Sequence, residues 1–223
     1  LHPANTLSLH DALPILSKVI GKHMPMIPDT LKIIGGILAR LWINEREDTV
    51  LYSTTELVNT LISLDASLDM MDSNLKNGEK DLKNHSIQDA IKNSNSILKA
   101  PIRLANKTLF IGFAETATGL AQSVLQNFSN AAYIHTTREK ITSIEPALFF
   151  NEEHSHAVEH SLFPYENDFF NKFSDIVLID DELTTGKSAL NLIKCLPGKY
   201  FGIISILEDR KSTRLNSSHL YDL

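Results

Sequence analysis

The residues with the clearest chemical potential lie in segment 176–188, which reads IVLIDDELTTGKS. Two adjacent carboxylates, Asp180 and Asp181, follow an apolar run that is typical of a buried strand. After Glu182 and Leu183, the residues are small, hydroxylated or cationic and begin a predicted helix: Thr184, Thr185, Gly186, Lys187 and Ser188. Free N–H groups and the dipole at a helix start favour a phosphate, whereas paired carboxylates suit sugar hydroxyls or Mg²⁺. A nucleotide-binding P-loop would instead need a glycine at position 181. The segment therefore predicts a site for a phosphorylated compound with a diol.

A second loop of small residues follows the apolar run at 108–113 and has the sequence GFAETATGLA. Its layout of strand, loop and helix repeats that of 176–188, although such turns are also common where a helix simply packs on a strand. A third apolar run, at 131–135, is followed by Arg138 and Lys140. These two cations could bind phosphate oxygens, or they could belong to an ordinary solvated turn.

The motif at 176–188 resembles the phosphoribosyl-pyrophosphate motif of the type I phosphoribosyltransferases. That motif is an apolar strand, two acids, two further residues and then Thr-Thr-Gly-x-Ser/Thr. Glu182 and Lys187 depart from it, because those positions are more often apolar and small, respectively. From about residue 21 to 207, and above all in GFAETATGLA, the chain resembles the phosphoribosyltransferase-like proteins associated with tellurium-resistance gene clusters.

The resemblance implies an enzyme that binds 5-phosphoribosyl 1-pyrophosphate with Mg²⁺ and transfers the phosphoribosyl group to an unidentified, nucleobase-like acceptor. It assigns the 5-phosphate to residues 184–188. Asp180 and Asp181 would be catalytic, holding the ribose hydroxyls and providing the only side-chain contacts to the metal. The pyrophosphate is assigned to Ala114, Glu115, Thr116, Ala117, Thr118 and Gly119, with Arg138 and Lys140. Positive charge grows on the ribose as its C1 bond breaks, and a nearby carboxylate would stabilise it. A regulatory module that only binds the ligand is the alternative, and a homodimer is a further expectation.

Three histidines, His154, His156 and His160, lie within seven residues. The spacing His156-x-x-Glu159-His160 matches an inverted zinc-peptidase motif, in which two imidazoles one helical turn apart hold the metal. A zinc hydrolase is therefore a second alternative, although no helix of the required length is predicted there. The family resemblance instead places the cluster in a flexible hood that closes over the site. A histidine in that hood could act as a general acid–base or contact the pyrophosphate.

The elements that must position these residues change in character along the chain. Three helices are predicted before residue 100: one capped by Asp29 or Thr30, one beginning at 54–56 and one at 87–98, with a loop at 73–84. After residue 100, short apolar runs at 108–113, 131–135, 147–151, 176–180 and 200–207 alternate with helical segments at 119–128 and 187–196. This order predicts an α/β fold with a mainly parallel twisted sheet flanked by helices, after an N-terminal helical segment. Ligands of such sheets bind beyond the carboxyl ends of the strands.

Composition and the chain ends set further limits. The 223 residues carry a net charge of −6 and one cysteine, Cys195. This charge disfavours nucleic acid and anionic membranes as partners, and no apolar run reaches the ~18 residues of a spanning helix. A lone cysteine excludes an internal disulfide framework and fits a cytoplasmic protein. Segments 1–15 and 209–223 resemble translated sequencing adapter, which leaves 16–100 as a helical hood segment and 101–208 as the α/β core. A further C-terminal domain is expected from the resemblance.

Overall fold

Helices occupy the first part of the chain, and strands alternate with helices in the second. The computed structural model describes residues 28–76, 100–151, 159–183, 185–197 and 200–208. In chain order its elements are α1 (Pro28–Arg46), α2 (Thr54–Lys76), β1 (Ile102–Gly112), α3 (Ala117–Leu125), β2 (Phe128–His135), β3 (Leu148–Asn151), β4 (Glu159–Leu162), a 3₁₀ turn (Phe169–Lys172), β5 (Asp175–Leu183), α4 (Lys187–Cys195) and β6 (Tyr200–Glu208). No helix within these ranges is long and apolar enough to cross a membrane.

The first two predicted helices are confirmed as α1 and α2. In α2, Leu57, Leu64 and Leu68 are buried. The helix continues to Lys76, so the loop predicted from residue 73 begins too early. Serine and asparagine each destabilise a helix by only about 0.5 kcal/mol relative to alanine. Gly78, which is a stronger helix breaker, comes later in the chain. The helix predicted at 87–98 lies outside the described residues.

Four parallel strands form the main sheet in the order β2-β1-β5-β6, as predicted for an α/β fold. The two central strands are buried on both faces at 108–112 of β1 and 175–179 of β5, which explains the apolar runs there. On one face, Phe110, Val177 and Ile179 pack with α1, α2 and α3. On the other, Ile111 and Leu178 pack with α4 and the aromatic residues near the 3₁₀ turn.

The apolar run at 147–151 forms β3, which lies outside the parallel sheet. It pairs antiparallel with β4, for example Phe150 with His160. Only residues 136–147 separate β3 from β2, and they contain no helix. The crossover to a parallel neighbour usually contains a helix, and this segment has none. The sequence does not predict β4, because Glu-His-Ser-Leu lacks the apolar run and β-branched residues typical of a strand.

Candidate functional site

The parallel sheet brings three of the predicted loops to one edge. Strands β2, β1 and β5 are adjacent and point the same way. The last residues of β2 and β1, His135 and Gly112, lie level with Ile179 of β5, and β5 continues beyond them to Leu183. The described segments that follow them are 136–140, 113–116 and 185–186, respectively. The predicted pyrophosphate-binding loop therefore lies between the loop that carries Arg138 and Lys140 and the start of α4. This is the edge at which open α/β sheets bind ligands.

The loop after β1 is held in place by hydrogen bonds that its own amides donate to β5 and to the residue after β2. The Phe113 amide donates to the Ile179 carbonyl at 2.9 Å, and the Ala114 amide donates to Thr136 Oγ1 at 2.8 Å. Ala114 is buried and Glu115 is exposed, and the peptide bond between them is cis. Thr116 and Thr118 are half-buried. The main chain of this loop is thus fixed at the sheet edge.

The start of α3 packs closely on the strands beneath it. A side chain at Gly112 would place its Cβ 2.8 Å from the Cβ of Ala121 and 3.2 Å from the Tyr133 hydroxyl, so only glycine fits. That hydroxyl donates to the Thr118 carbonyl at 3.1 Å. Burial raises the pKa of Tyr133 to about 12. Ala117 is completely buried, which accounts structurally for one small residue of the motif, and Gly119 lies near Leu31 of α1.

The loop after β2 carries the two predicted cations. Arg138 and Lys140 are both exposed and line a cavity of about 610 Å³. The other lining residues are Glu139, Ile141, Thr142, Pro146, Asn151, Glu159, Ser161 and Phe163. Two backbone hydrogen bonds between Thr137 and Ser161, at 2.9 and 2.8 Å, fasten this loop to β4.

The two predicted catalytic acids lie within β5 rather than after it. The strand continues to Leu183, because β6 pairs alongside it as far as Glu208. Successive side chains of a strand point to opposite faces. Asp180 therefore lies on the face of Leu178 and α4, and it is half-buried. Asp181 lies on the face of Ile179 and α1, and it is 7% exposed. The Asp181 amide donates to Asp180 Oδ1 at 2.9 Å.

The predicted phosphate loop opens α4. Gly186 adopts φ 69° immediately before the helix, a left-handed conformation that explains why glycine occurs there. Thr185 Oγ1 lies 3.4 Å from the Lys187 amide, and the Leu190 amide donates to the Gly186 carbonyl at 3.0 Å. Lys187 is exposed and Ser188 is half-buried. Thr184 lies outside the described residues.

The histidine cluster is only partly described, and what is seen differs from both hypotheses made for it. His154 and His156 lie outside the described residues. His160 is 2% exposed in β4, so it is a buried strand residue rather than part of a flexible surface. Glu159 precedes it in the same extended strand and is exposed, so the two side chains point to opposite faces. The helical spacing that a zinc-peptidase motif requires is therefore absent at these two positions. Within the described ranges, no three His, Cys, Asp or Glu side chains are placed to hold a metal.

Sequence reasoning missed Thr136, which is completely buried at the centre of the site. Its hydroxyl contacts both the Ala114 amide and Nδ1 of His160, the latter at 3.0 Å. A threonine after an apolar run has no signal of its own, since such residues are common in solvated turns.

Residues 12–219 of the chain match the phosphoribosyl transferase family, a range that includes part of each segment resembling adapter. The chain belongs to this family. Among solved structures, the chain matches a hypoxanthine phosphoribosyltransferase from Staphylococcus aureus, with 14% identity and a TM-score of 0.30 over 50% of this chain and 58% of that chain. It is also similar to an adenine phosphoribosyl transferase from Trypanosoma brucei in complex with AMP, pyrophosphate and ribose-5-phosphate, with 13% identity and a TM-score of 0.32 over 49% and 59%. The chain thus spans less than two thirds of either neighbour. No curated protein sequence matches it.

Proposed function

We propose that this phosphoribosyl transferase family member binds 5-phosphoribosyl 1-pyrophosphate with Mg²⁺ and transfers the phosphoribosyl group to a nucleobase-like acceptor. The observation that carries the proposal is the placement of three loops of different chemistry at one edge of the parallel sheet. The loop after β5 leads into the start of a helix, and the loop after β1 has a fixed main chain. The loop after β2 carries two cations. A ligand with a phosphate at one end and a pyrophosphate at the other matches that order.

The start of α4 is the proposed site for the 5-phosphate. Backbone N–H groups of the first helical turn have no partner within a helix and, with the helix dipole, favour an anion. The left-handed conformation of Gly186 lets the main chain turn sharply into the helix. Thr185 and Ser188 would add hydroxyl donors, and Lys187 a positive charge.

Asp180 is the proposed contact for the ribose and for Mg²⁺. It shares a face of the sheet with α4, and its half-buried carboxylate lies next to the phosphate loop in the chain. Mg²⁺ typically binds one or two carboxylates, substrate phosphates and several waters, so one protein carboxylate fits its donor preference. When bound, the ion would neutralise charge on the pyrophosphate leaving group. We include Asp181 as a further ribose contact because the family motif contains two acids, although its side chain lies on the opposite face of β5.

The loop after β1 and the cations after β2 are the proposed pyrophosphate site. The loop's main chain is fixed by the bonds of Phe113 and Ala114, so its amides would not need to be ordered when the ligand arrives. Arg138 and Lys140 would neutralise part of the pyrophosphate charge. The cavity beside them includes Ile141, Pro146 and Phe163, which offer apolar contact to a planar acceptor.

Titration calorimetry with 5-phosphoribosyl 1-pyrophosphate and Mg²⁺, followed by a pyrophosphate-release assay over nucleobase acceptors, tests the proposal. Lys187→Ala at the start of α4 should weaken binding by about tenfold, as expected when a charged contact to a phosphate is lost. Lys194→Ala removes the same charge from the exposed last turn of that helix and is the matched control. Binding without release against every acceptor would indicate a regulatory module. No binding by the wild-type protein would overturn the proposal.

A further inference from the structure

The side chain of His160 is enclosed by aromatic rings beneath the proposed pyrophosphate site. Its ring stacks on Phe150, with centroids 5.1 Å apart and planes at 27°. The ring of Phe113, at the end of β1, meets it edge-on at 6.4 Å. These contacts fix the plane of the imidazole, and therefore the directions in which its two nitrogens can form hydrogen bonds.

Both imidazole nitrogens have partners in the loops of the site. Nε2 lies 3.1 Å from Nε of Arg138, and Nδ1 lies 3.0 Å from Oγ1 of Thr136. An arginine Nε–H can only donate, so Nε2 must accept and carries no proton. The proton of a neutral imidazole then lies on Nδ1 and is donated to Thr136.

Thr136 extends this chain of hydrogen bonds to the neighbouring loop. Its Oγ1 accepts the Ala114 amide at 2.8 Å in addition to the His160 proton. One histidine in β4 thus connects the guanidinium of Arg138 with the main chain after β1. These are the two groups that the proposed function assigns to the pyrophosphate.

We propose that His160, as a neutral imidazole protonated on Nδ1, is a positioning residue that orients Arg138 for pyrophosphate and anchors the main chain of the proposed pyrophosphate loop at Ala114. The inference rests on the proposed function, because the groups that it positions are those of the proposed pyrophosphate site. Donors that are already oriented lose less conformational freedom when the ligand binds, so the network raises affinity without touching the ligand. It also makes the β3–β4 pair part of the site.

Three substitutions at His160 separate its hydrogen bond with Arg138 from its hydrogen bond with Thr136. His160→Phe keeps the aromatic packing and removes both hydrogen bonds. His160→Gln can place an amide oxygen near Nε2 and still accept from Arg138, whereas His160→Asn can place an amide nitrogen near Nδ1 and still donate to Thr136. Each protein is titrated with inorganic pyrophosphate plus Mg²⁺, and separately with ribose 5-phosphate, which reports on the start of α4.

His160→Phe should weaken pyrophosphate binding by about tenfold and change ribose 5-phosphate binding less than about twofold. His160→Gln and His160→Asn should each recover part of the lost affinity for pyrophosphate. Equal losses for both ligands would indicate a merely structural role and overturn the inference. So would unchanged pyrophosphate affinity in all three variants. If the wild-type protein binds neither ligand, the proposed function fails, and this inference fails with it.

A nuclear magnetic resonance spectrum of the imidazole nitrogens tests the protonation state independently of any ligand. The expected result at neutral pH is a His160 signal with the proton on Nδ1 and an unprotonated Nε2. In Arg138→Ala the Nε2 resonance should shift, while Arg103→Ala, an exposed arginine near the amino end of β1, should leave it unchanged. An imidazolium, or a proton on Nε2, would contradict the proposed network.

Discussion

Asp180 and Asp181 are adjacent in the chain but lie on opposite faces of β5. Asp180 shares the face of α4, whereas Asp181 follows Val177 and Ile179 on the face that packs against α1 and α3. Asp181 is also the more buried of the two. Two acids that the sequence presents as equivalent are therefore placed in different environments by the alternation of the strand. We expect them to contribute differently to binding and to stability.

Asp180→Asn should weaken Mg²⁺-dependent binding of 5-phosphoribosyl 1-pyrophosphate by about 10- to 100-fold, the loss expected for one or two charge-assisted contacts. Its free energy of unfolding should change little, because the side chain is half-buried. Asp181→Asn should instead lower the free energy of unfolding by about 1–3 kcal/mol, because a buried carboxylate loses hydrogen-bonding capacity. Calorimetry and urea denaturation of both variants measure the difference. Glu182→Gln, an exposed acid in the same strand, is the control.

The opposite pattern would contradict the assignment of faces. If Asp181→Asn alone abolished binding while the protein stayed fully stable, Asp181 would be the ligand contact. Equal effects of the two substitutions on binding would restore the family-based expectation that both acids hold the ribose. Loss of affinity in Glu182→Gln would show that the assay responds to charge in general.

The parallel sheet could be predicted from sequence because its two central strands are buried on both faces. Such strands need continuous apolar runs, and those at 108–113 and 176–180 are easily recognised. Their ends were less predictable. β5 extends to Leu183 through three acidic residues because β6 pairs beside it, a tertiary effect that local sequence does not encode. The face occupied by each acid depends on that extension.

The network around His160 could not be predicted for a different reason. His160 lies in β4, whose sequence resembles a polar loop, and its partners Thr136 and Arg138 lie on a loop more than twenty residues away. A histidine in a polar segment suggests a mobile catalytic group or a metal ligand. Only the aromatic enclosure by Phe150 and Phe113 identifies it as a buried residue.

Gly186→Ala should destabilise the start of α4. At φ 69° a Cβ atom is strained, and we expect a loss of about 1–2 kcal/mol in the free energy of unfolding. Affinity for ribose 5-phosphate should fall as well, because relief of the strain would move the amides of the first helical turn. Gly186→Asn is the matched control, since asparagine adopts this conformation more readily than alanine. Similar losses in both variants would point to close packing rather than backbone conformation.

Gly35→Ala should separate α1 from α3. A Cβ at this position would lie 2.2 Å from Oγ of Ser123 and 2.5 Å from its carbonyl carbon, so moving the serine side chain cannot relieve the overlap. Forcing extra atoms into a packed interface costs roughly 1–3 kcal/mol, which urea denaturation would detect.

Gly119→Ala makes the same chemical change in α3 and serves as the control for Gly35→Ala. Its Cβ would meet Leu31 of α1 at 3.4 Å, close to an ordinary contact. Alanine is also the better helix former by about 1 kcal/mol. This variant should therefore be as stable as the wild type or more stable. A large loss in Gly119→Ala, or none in Gly35→Ala, would show that the helices approach each other differently.

Tyr133→Phe should change how stability depends on pH. Burial raises the pKa of Tyr133 to about 12 in the folded protein, whereas in the unfolded chain it should be near the ordinary value of about 10. Between these values the unfolded chain releases a proton that the folded protein retains. The tyrosine's contribution to the free energy of unfolding is therefore fully present below pH 10 and is lost as the pH rises through 12.

At pH 8 the wild type should be more stable than Tyr133→Phe by about 1 kcal/mol, because the variant lacks the hydrogen bond to the Thr118 carbonyl. At pH 11 that advantage should shrink or reverse. The measurement is urea denaturation of both proteins at the two pH values. Comparing the difference between the proteins cancels the titration of other groups, since these are common to both. An advantage that stays constant from pH 8 to 11 would mean that the Tyr133 hydroxyl is not desolvated beneath the start of α3.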